Sequence, residues 1–591
     1  MERKDIKQSE IWDLSLIYQS DEAFAKDLEE AKKLANHLEE QKGHMTDTSN
    51  QFYTFLNDYT MLDRLISKLY CFAHLHADVE PSIQNYQYML SSVLSFNDLV
   101  NKKLDFTELE IIHHKDIVLT YLEEDRFAPY RYPVKSILRE EAHMLTQEME
   151  TLLSKVSPLA DTPEQAFNAL RLNYGDITVD GQTEPLNGAS LSRLLRHKDQ
   201  DVRRRAYEQF YGKYQEFENV FAATLSGTMK KDAFYADVRK FENPLVASLW
   251  KDDVPEELFY KILEKANKQY RPLFHRYNKL KKQLLKVDTL YNYDLFAPLV
   301  ADVNKSYTID ECFDIILDVV SVFGEDYVNI IKQARAERWI DFHPTTNKRT
   351  GAYSSGCYDA RPFILMNFIG DYNSLSTMIH ELGHSCHTYL SCKYQHPATS
   401  DYRIFVAEVA STVNETLLIN YMLEHAQTNE EKAYFLYEFL ENCVGLIFRQ
   451  PMYAEFEDEL HHWAQNNEPM NASRITQLYD QLNDDYYGED VVNDQYVGHS
   501  CFYIPHFYYN YYVYKYTLGM TVALAIVARI LKGDQQQVAD YLSFLSSGGS
   551  MSPLQLLEKA GVNPLEDAIY DDAFQYFESL LNEFEAIMLH Q

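Results

Sequence analysis

Apolar residues recur at helical spacing through the first 160 positions. Phe24, Leu28, Ala31, Ala35 and Leu38 form one stripe and Phe55, Leu62, Leu65 and Leu69 another, with charged residues on the remaining faces. The pattern predicts successive amphipathic helices. It breaks between Asn173 and Asn187, where an Asp180-Gly181 turn separates two short β-like runs. A domain boundary placed near 190 on this break gives an N-terminal helical domain over 1–190 and a second domain over 191–591. A further non-helical region runs from about Asp341 to Asp371, punctuated by Pro344, Gly351, Gly356 and Pro362, with a strand over 363–368. Helical patterns resume at Ser374 and continue to the C-terminus, with loops near 391–401, 465–472 and 484–505. The expected fold is mostly α, with one small sheet placed just before a central helix.

Composition narrows the picture. Only 19 glycines and 18 prolines in 591 residues are too few for a β-sandwich or a disordered chain. The 55 Lys+Arg against 89 Asp+Glu give a net charge of −34, which repels phosphate backbones, so no nucleic-acid partner is expected. The seven cysteines contain no Cys-x-x-Cys pair and read as reduced thiols. No apolar leader follows MERKDIKQSE, and the longest apolar stretch, Gly519 to Ala528, is short for a membrane span. The expectation is a soluble, cytoplasmic protein without a membrane partner. Its oligomeric state is not legible.

Candidate chemistry centres on His380-Glu381-Leu382-Gly383-His384. On a helix of about 100° per residue, His380, His384 and His387 fall within about 60° of one another. Leu375, Met378, Ile379, Leu382, Cys386, Tyr389 and Leu390 fill the opposite side. A buried face opposite a shared imidazole face is what a two-histidine zinc site requires. Catalytic zinc takes a third protein ligand, and between Ser385 and Asn414 the choices are His387, His396, Asp401 and Glu408. The longer metzincin pattern fails, because positions 387 and 390 hold His387 and Leu390. Glu408 is preferred, with His387 as the alternative. The segment from Phe405 to Glu415 puts Glu408, Ser411, Thr412 and Glu415 on one stripe of a mostly apolar helix, where a carboxylate needs a partner. Glu415 is a candidate to orient a ligand histidine, or else forms an ordinary salt bridge.

The run from Gly351-Ala352-Tyr353-Ser354-Ser355-Gly356, through HELGH, to Glu408-x-x-Ser411 resembles the oligoendopeptidase F branch of the thimet oligopeptidase family. Ile504-Pro505-His506-Phe507-Tyr508, followed by Tyr511-Tyr512-Val513-Tyr514, resembles that branch too. The resemblance implies a zinc endopeptidase that cuts short peptides in a deep channel between two helical domains, the first of them oligopeptidase F N-terminal-like. It implies Glu381 as the base and Glu408, 24 residues beyond His384, as the third ligand. In the thimet relatives a His and two Tyr on a glycine-rich loop contact the substrate, and here the IPHFY segment replaces that loop.

The expected chemistry is hydrolysis of internal peptide bonds of short unstructured peptides, with one Zn2+ per chain. Glu381, next to His380 on the helix, can reach a water and shuttle its proton to the leaving amine. His506 leads the pool of oxyanion donors, with Tyr503, Tyr509 and Tyr512 as further substrate contacts, although a Tyr-rich helix from 507 to 516 would serve equally as core. The 363–368 strand is expected to offer an edge to an extended peptide, with Tyr353 closing over it. Two other readings stand beside this one: a zinc carboxypeptidase, and a zinc-containing peptide-binding protein without turnover. The glutamate between the two histidines favours catalysis over mere binding.

Overall fold

The computed structural model describes residues 2–303 and 305–589. Helices dominate, and seven short strands join them: β1 (Asp176–Val179), β2 (Gln182–Pro185), β3 (Leu290–Tyr291), β4 (Ile340–Asp341), β5 (Tyr353–Cys357), β6 (Ala360–Leu365) and β7 (Val491–Val492). The chain forms two compact units, each assembled from three separate stretches. The sequence boundary near 190 falls inside the second unit, so the units divide the chain differently from a single cut along it.

The first unit comprises Met1–Ala142, Asn304–Tyr421 and Arg529–Val562. Its N-terminal helices follow the apolar stripes. Asp21–Glu39, capped by the Ser20 hydroxyl, buries Phe24, Ala31, Ala35 and Leu38. Ser49–Val79, capped by Thr48, buries Phe55, Leu62 and Leu69. The only three-stranded sheet among the described residues has the order β4-β6-β5, with β4 parallel and β5 antiparallel to β6. This corrects one expectation. The strand containing Phe363, Ile364 and Leu365 is the central one, paired on both sides, and the sheet edges belong to β4 and β5. Full burial of those three residues agrees with a central place.

The sheet leads into the helix Tyr372–Tyr394, whose first free N–H groups meet the Asp371 carboxylate, with Ser374 N–H donating at 2.8 Å. The helix Ile404–His425 crosses it. The crossing is close because of Gly383: a Cβ there would lie 2.8 Å from the Ala410 carbonyl oxygen and 2.9 Å from the Ser411 Cα. Asn414, fully buried, donates to the Ile379 carbonyl at 3.3 Å and fastens the same crossing.

The second unit comprises His143–Val303, Met422–Ala528 and Asn563–Gln591. It opens with helices and the expected hairpin, in which β1 and β2 pair antiparallel around Asp180 and Gly181, both at positive φ (51° and 80°). Its core includes the stacked pair Phe274–Phe448 and the contacts of Phe448 with Phe574 and Phe577. The segment expected as a Tyr-rich helix over 507–516 is something else. Short 3-10 turns cover Gly498–Tyr503 and Pro505–Tyr508, Asn510 and Tyr511 turn at positive φ, and the α-helix starts only at Tyr514. That helix, Tyr514–Leu531, includes the Gly519–Ala528 run and is long and apolar enough to cross a membrane by length and composition alone. Its burial, with Val522 through Val527 inaccessible, makes it a core helix of the fold.

Candidate active site

The Tyr372–Tyr394 and Ile404–His425 helices bring three side chains of the first unit to one point. His384 Nε2 lies 3.2 Å from His380 Nε2, and the Glu408 Oε2 oxygen lies 3.5 Å from His380 Nε2 and 3.6 Å from His384 Nε2. These three ligand atoms are grouped as a potential metal site. Two of the three are supported by neighbouring side chains. The His380 Nδ1 faces Glu415 Oε2 at 3.2 Å, so Nδ1–H donates there, and the ring's neutral form would present its Nε2 lone pair to the common point. Glu415 accepts in turn from the Ser376 hydroxyl at 3.2 Å. The Ser411 hydroxyl donates to Glu408 Oε2 at 3.1 Å, from a fully buried position one turn along.

The electrostatics select positive charge. The His384 contact pulls the Glu408 carboxyl down to about 2 against its burial, with His380 adding to the effect. Burial opposes an imidazolium at His380, yet Glu415, Glu381 and Glu408 outweigh it and lift the group to about 9. A point that draws a proton this strongly onto a half-enclosed imidazole is equally a point for a cation. Glu381, between the two histidines, is 6% exposed, and burial raises its carboxyl while His380 and His384 pull the other way.

His387 is placed elsewhere. Its ring stacks on Tyr402 at 3.7 Å with a 10° tilt and meets Phe544 at 5.1 Å. It is 1% exposed, and burial drives it down to about 3, so the ring is neutral. Among the other residues weighed, His396 caps the short turn Pro397–Thr399, and the Asp401 carboxylate accepts from the Tyr402 N–H.

Strand β5 lies along the same two-helix core. Ser354 and Ser385 share a hydrogen bond at 2.9 Å, which ties the strand to the histidine helix. On its other face Ser355 meets His74 Nε2 at 2.9 Å, and the Tyr353 hydroxyl donates to Asp78 at 2.8 Å. Tyr353 is therefore committed to the Ser49–Val79 helix. A cavity of about 390 Å³ follows the outer side of β5, lined by Ser354, Gly356, Tyr358, Arg64, Thr388 and Tyr402 among others.

Tyr503, His506, Tyr509 and Tyr512 belong to the second unit. There the His506 ring is surrounded by Tyr509, Tyr512 and Tyr516 at centroid distances of 5.7, 6.4 and 6.1 Å. Burial lowers its pKa, which favours the neutral ring. Tyr503 packs edge-on against Phe210 and Tyr214. Gly383 and Asn414 were missed in the sequence. The signal for each was a small or polar residue in the middle of an otherwise apolar helical stretch.

Fold and site together describe a helical protein in which two histidines and a carboxylate converge, as a potential metal site, beside a small sheet. Comparison with known proteins makes the assignment specific. The model of peptidase family M3 matches residues 193–576, and the oligopeptidase F model matches residues 113–177. The chain is 35% identical to oligopeptidase PepF of Bacillus subtilis over 596 residues, covering 100% of this chain and 88% of that protein. It is 30% identical to group B oligopeptidase PepB of Streptococcus agalactiae, covering 99% and 98%. The crystal structure of oligoendopeptidase-F from Enterococcus faecium superposes with a TM-score of 0.73 at 29% identity, covering 97% of this chain and 100% of that one. The chain belongs to peptidase family M3, and its activity class is that of a metallopeptidase acting on peptides.

Proposed function

We propose that this protein is a zinc oligoendopeptidase that hydrolyses internal bonds of short, unstructured peptides. One zinc ion per chain is assigned to His380, His384 and Glu408. The observation that carries this reading is the triangle of ligand atoms, 3.2, 3.5 and 3.6 Å on its sides. Ligands about 2.0–2.1 Å from a tetrahedral zinc stand about 3.3 Å apart, so the residues present fit the ion. Two neutral imidazoles and a carboxylate also match the ligand set of hydrolytic zinc, with room for a fourth position.

When bound, zinc polarises the scissile carbonyl and lowers the pKa of water towards about 7. Glu381 is assigned as the general base: its carboxylate takes a proton from the attacking water, holds it, and releases it to the leaving amine nitrogen. Its burial raises the carboxyl towards the working pH, where such a relay is efficient. Glu415 fixes the tautomer of His380 and limits its rotation. The donors that the tetrahedral oxyanion requires are assigned to His506 first, then to Tyr509, Tyr512 and Tyr503. The edge of β5 supplies backbone groups along which an extended peptide adds as a further strand, so recognition falls on the backbone more than on side chains. None of the cysteines forms a disulfide among the described residues, which supports a cytoplasmic setting.

An internally quenched peptide blocked at both ends, offered to protein of measured zinc content, tests the reading. Cleavage at an internal bond, lost on chelation and restored by zinc, is expected. Failure on blocked peptides with release of C-terminal residues from free ones would make the enzyme a carboxypeptidase instead.

A further inference from the structure

The second unit holds a buried cluster of ionisable groups that the proposed chemistry does not use. Glu457 and His461 lie one turn apart on the helix Gln450–Gln465 and are 0% and 1% exposed. His461 Nε2 faces Asp232 of the helix Glu218–Val238 at 3.3 Å, and its Nδ1 faces the Glu457 carbonyl at 3.0 Å. Burying a carboxylate in this way is costly, and a second feature shows what it holds. The Glu457 Oε1 oxygen accepts the backbone N–H of Tyr511 at 2.6 Å, the length of a charge-assisted bond. The Oε2 oxygen is buried with no hydrogen-bond partner.

Tyr511 is itself unusual. It follows Asn510, and both adopt positive φ (48° and 57°), a region that a bulky side chain rarely enters. Four further contacts hold the turn in that conformation. The Tyr511 hydroxyl donates to Asp458 at 2.9 Å, its ring stacks on His461 at 4.5 Å and meets Phe259 edge-on at 5.5 Å, and the Ser248 hydroxyl donates to the Asn510 carbonyl at 2.9 Å. The strained turn stands between His506 and Tyr509 on one side and Tyr512 on the other. Straightening it would re-aim all three rings.

We propose that Glu457 is a positioning residue: as a carboxylate it clamps the strained Asn510-Tyr511 turn through the Tyr511 N–H, and so fixes the aim of His506, Tyr509 and Tyr512. The proposal rests on the reading of those rings as substrate-facing donors. Burial raises the Glu457 carboxyl to about 7, with Asp232 and Asp458 adding to the effect and His461 and the Tyr511 N–H opposing it. The remaining ionisable neighbours are His462 and Tyr260, which face Asp458. The clamp therefore tightens as pH rises through neutrality and slackens below it.

The test compares the zinc-loaded wild type with Glu457→Gln, which keeps the acceptor oxygen and the volume but never carries the charge. The kcat of the wild type should exceed that of the variant about tenfold at pH 8.5 and converge with it near pH 6, with KM little changed, because one strong hydrogen bond weakens to an ordinary one. Hydrogen exchange across residues 506–513 should be faster in the variant at pH 8.5, a readout independent of turnover. Ser248→Ala, which loosens the same turn from the other side, should lower kcat by a smaller factor that does not vary with pH. Wild-type exchange and wild-type kcat in Glu457→Gln at pH 8.5 would overturn the proposal. So would a loss of activity matched at every pH by a fall in thermal midpoint, since that would leave the residue a purely structural role. His506→Ala separates the two levels: full activity in that variant would remove the donor reading, whereas the exchange result judges the clamp alone.

Discussion

Two clusters in this protein are built from the same residue types, histidines and carboxylates on helices, and they do opposite things with them. At His380, His384 and Glu408 the side chains converge on one point, with Glu415 behind His380 and Ser411 beside Glu408 holding two of them there. At Asp232, Glu457 and His461 the side chains do not share one point: His461 faces Asp232 and the Glu457 carbonyl, while the Glu457 carboxylate takes the Tyr511 backbone N–H. The first leaves a shared point that attracts a cation and holds Glu408 down to about 2. The second is closed to solvent and pushes Glu457 up to about 7. Residue identity alone does not make a metal centre. On the proposed reading convergence of lone pairs makes the difference, and a glycine that lets two helices touch permits it.

The sharpest way to break this contrast is to exchange the proposed third ligand for the neighbour that the structure buries. Glu408→Ala should release zinc at moderate chelator concentration and abolish hydrolysis, a larger effect than the about 10–100-fold loss that follows removal of a ligand's supporting partner. His387→Ala should keep zinc and most activity while losing about 1–3 kcal/mol of stability, because it empties a stack on Tyr402. Metal content and thermal midpoint of the two variants decide between them, and the reverse order would move the ligand role to His387.

Next in size, Glu381→Gln should retain zinc and lose about 10²–10⁴ in kcat, since it removes a proton acceptor and leaves the triangle of ligands intact. Near-normal turnover in a zinc-replete variant would show that another group moves the proton.

Much of the first cluster was legible in the sequence, and the second was not, for a physical reason. A helix repeats every 3.6 residues, so His380 and His384 declare a shared face, and Glu408 with Ser411 and Glu415 declares another. Both helices run as their apolar stripes require. The distance between them was not legible, because Gly383 acts through a helix remote in sequence. The same limit misplaced the sheet edge. The sequence pattern placed a strand at 363–368, three residues beyond the observed Ala360–Leu365, and could not say that β4 would pair with it from one side and β5 from the other. Around 507–516 the aromatic run suited a helix, and the buried Glu457 overrode that local preference by capturing the Tyr511 N–H. Tertiary contacts of this kind leave no periodic trace.

Gly383 offers a quantitative check on the first cluster. Gly383→Ala would place a methyl group within 3 Å of the Ala410 carbonyl and the Ser411 Cα, both backbone, so the helices must part. The expected cost is about 1–3 kcal/mol of stability, together with weakened zinc affinity, because Glu408 and Ser411 ride on the displaced helix. Unchanged affinity and midpoint would mean that the crossing tolerates separation and that the triangle is set by other contacts.

A pH dependence sharpens the contrast most directly, because the two clusters should respond to pH with opposite sign. Glu457 titrates near 7 in the folded protein and near 4.5 when unfolded. Between those values the folded state keeps a proton that the unfolded state has released, so stability falls as pH rises through the window, by on the order of 3 kcal/mol once pH 7 is passed. Glu457→Gln has no such proton to lose, and its thermal midpoint should rise relative to wild type by a few degrees above pH 7 while the two curves approach one another towards pH 5. Glu408 has its folded value lowered, so in zinc-free protein it adds stability above about 4.5 that is lost as pH falls towards 2. Zinc-free Glu408→Gln should accordingly melt below wild type at neutral pH and approach it in acid, by a smaller margin because solvent reaches that carboxylate and screens it. Melting curves of the three proteins from pH 2 to 8.5 read both slopes in one experiment. Parallel curves for wild type and Glu457→Gln would mean that the buried carboxyl titrates alike in the folded and unfolded chain, and the distinction between a converging and a dispersed cluster would then lose its electrostatic basis.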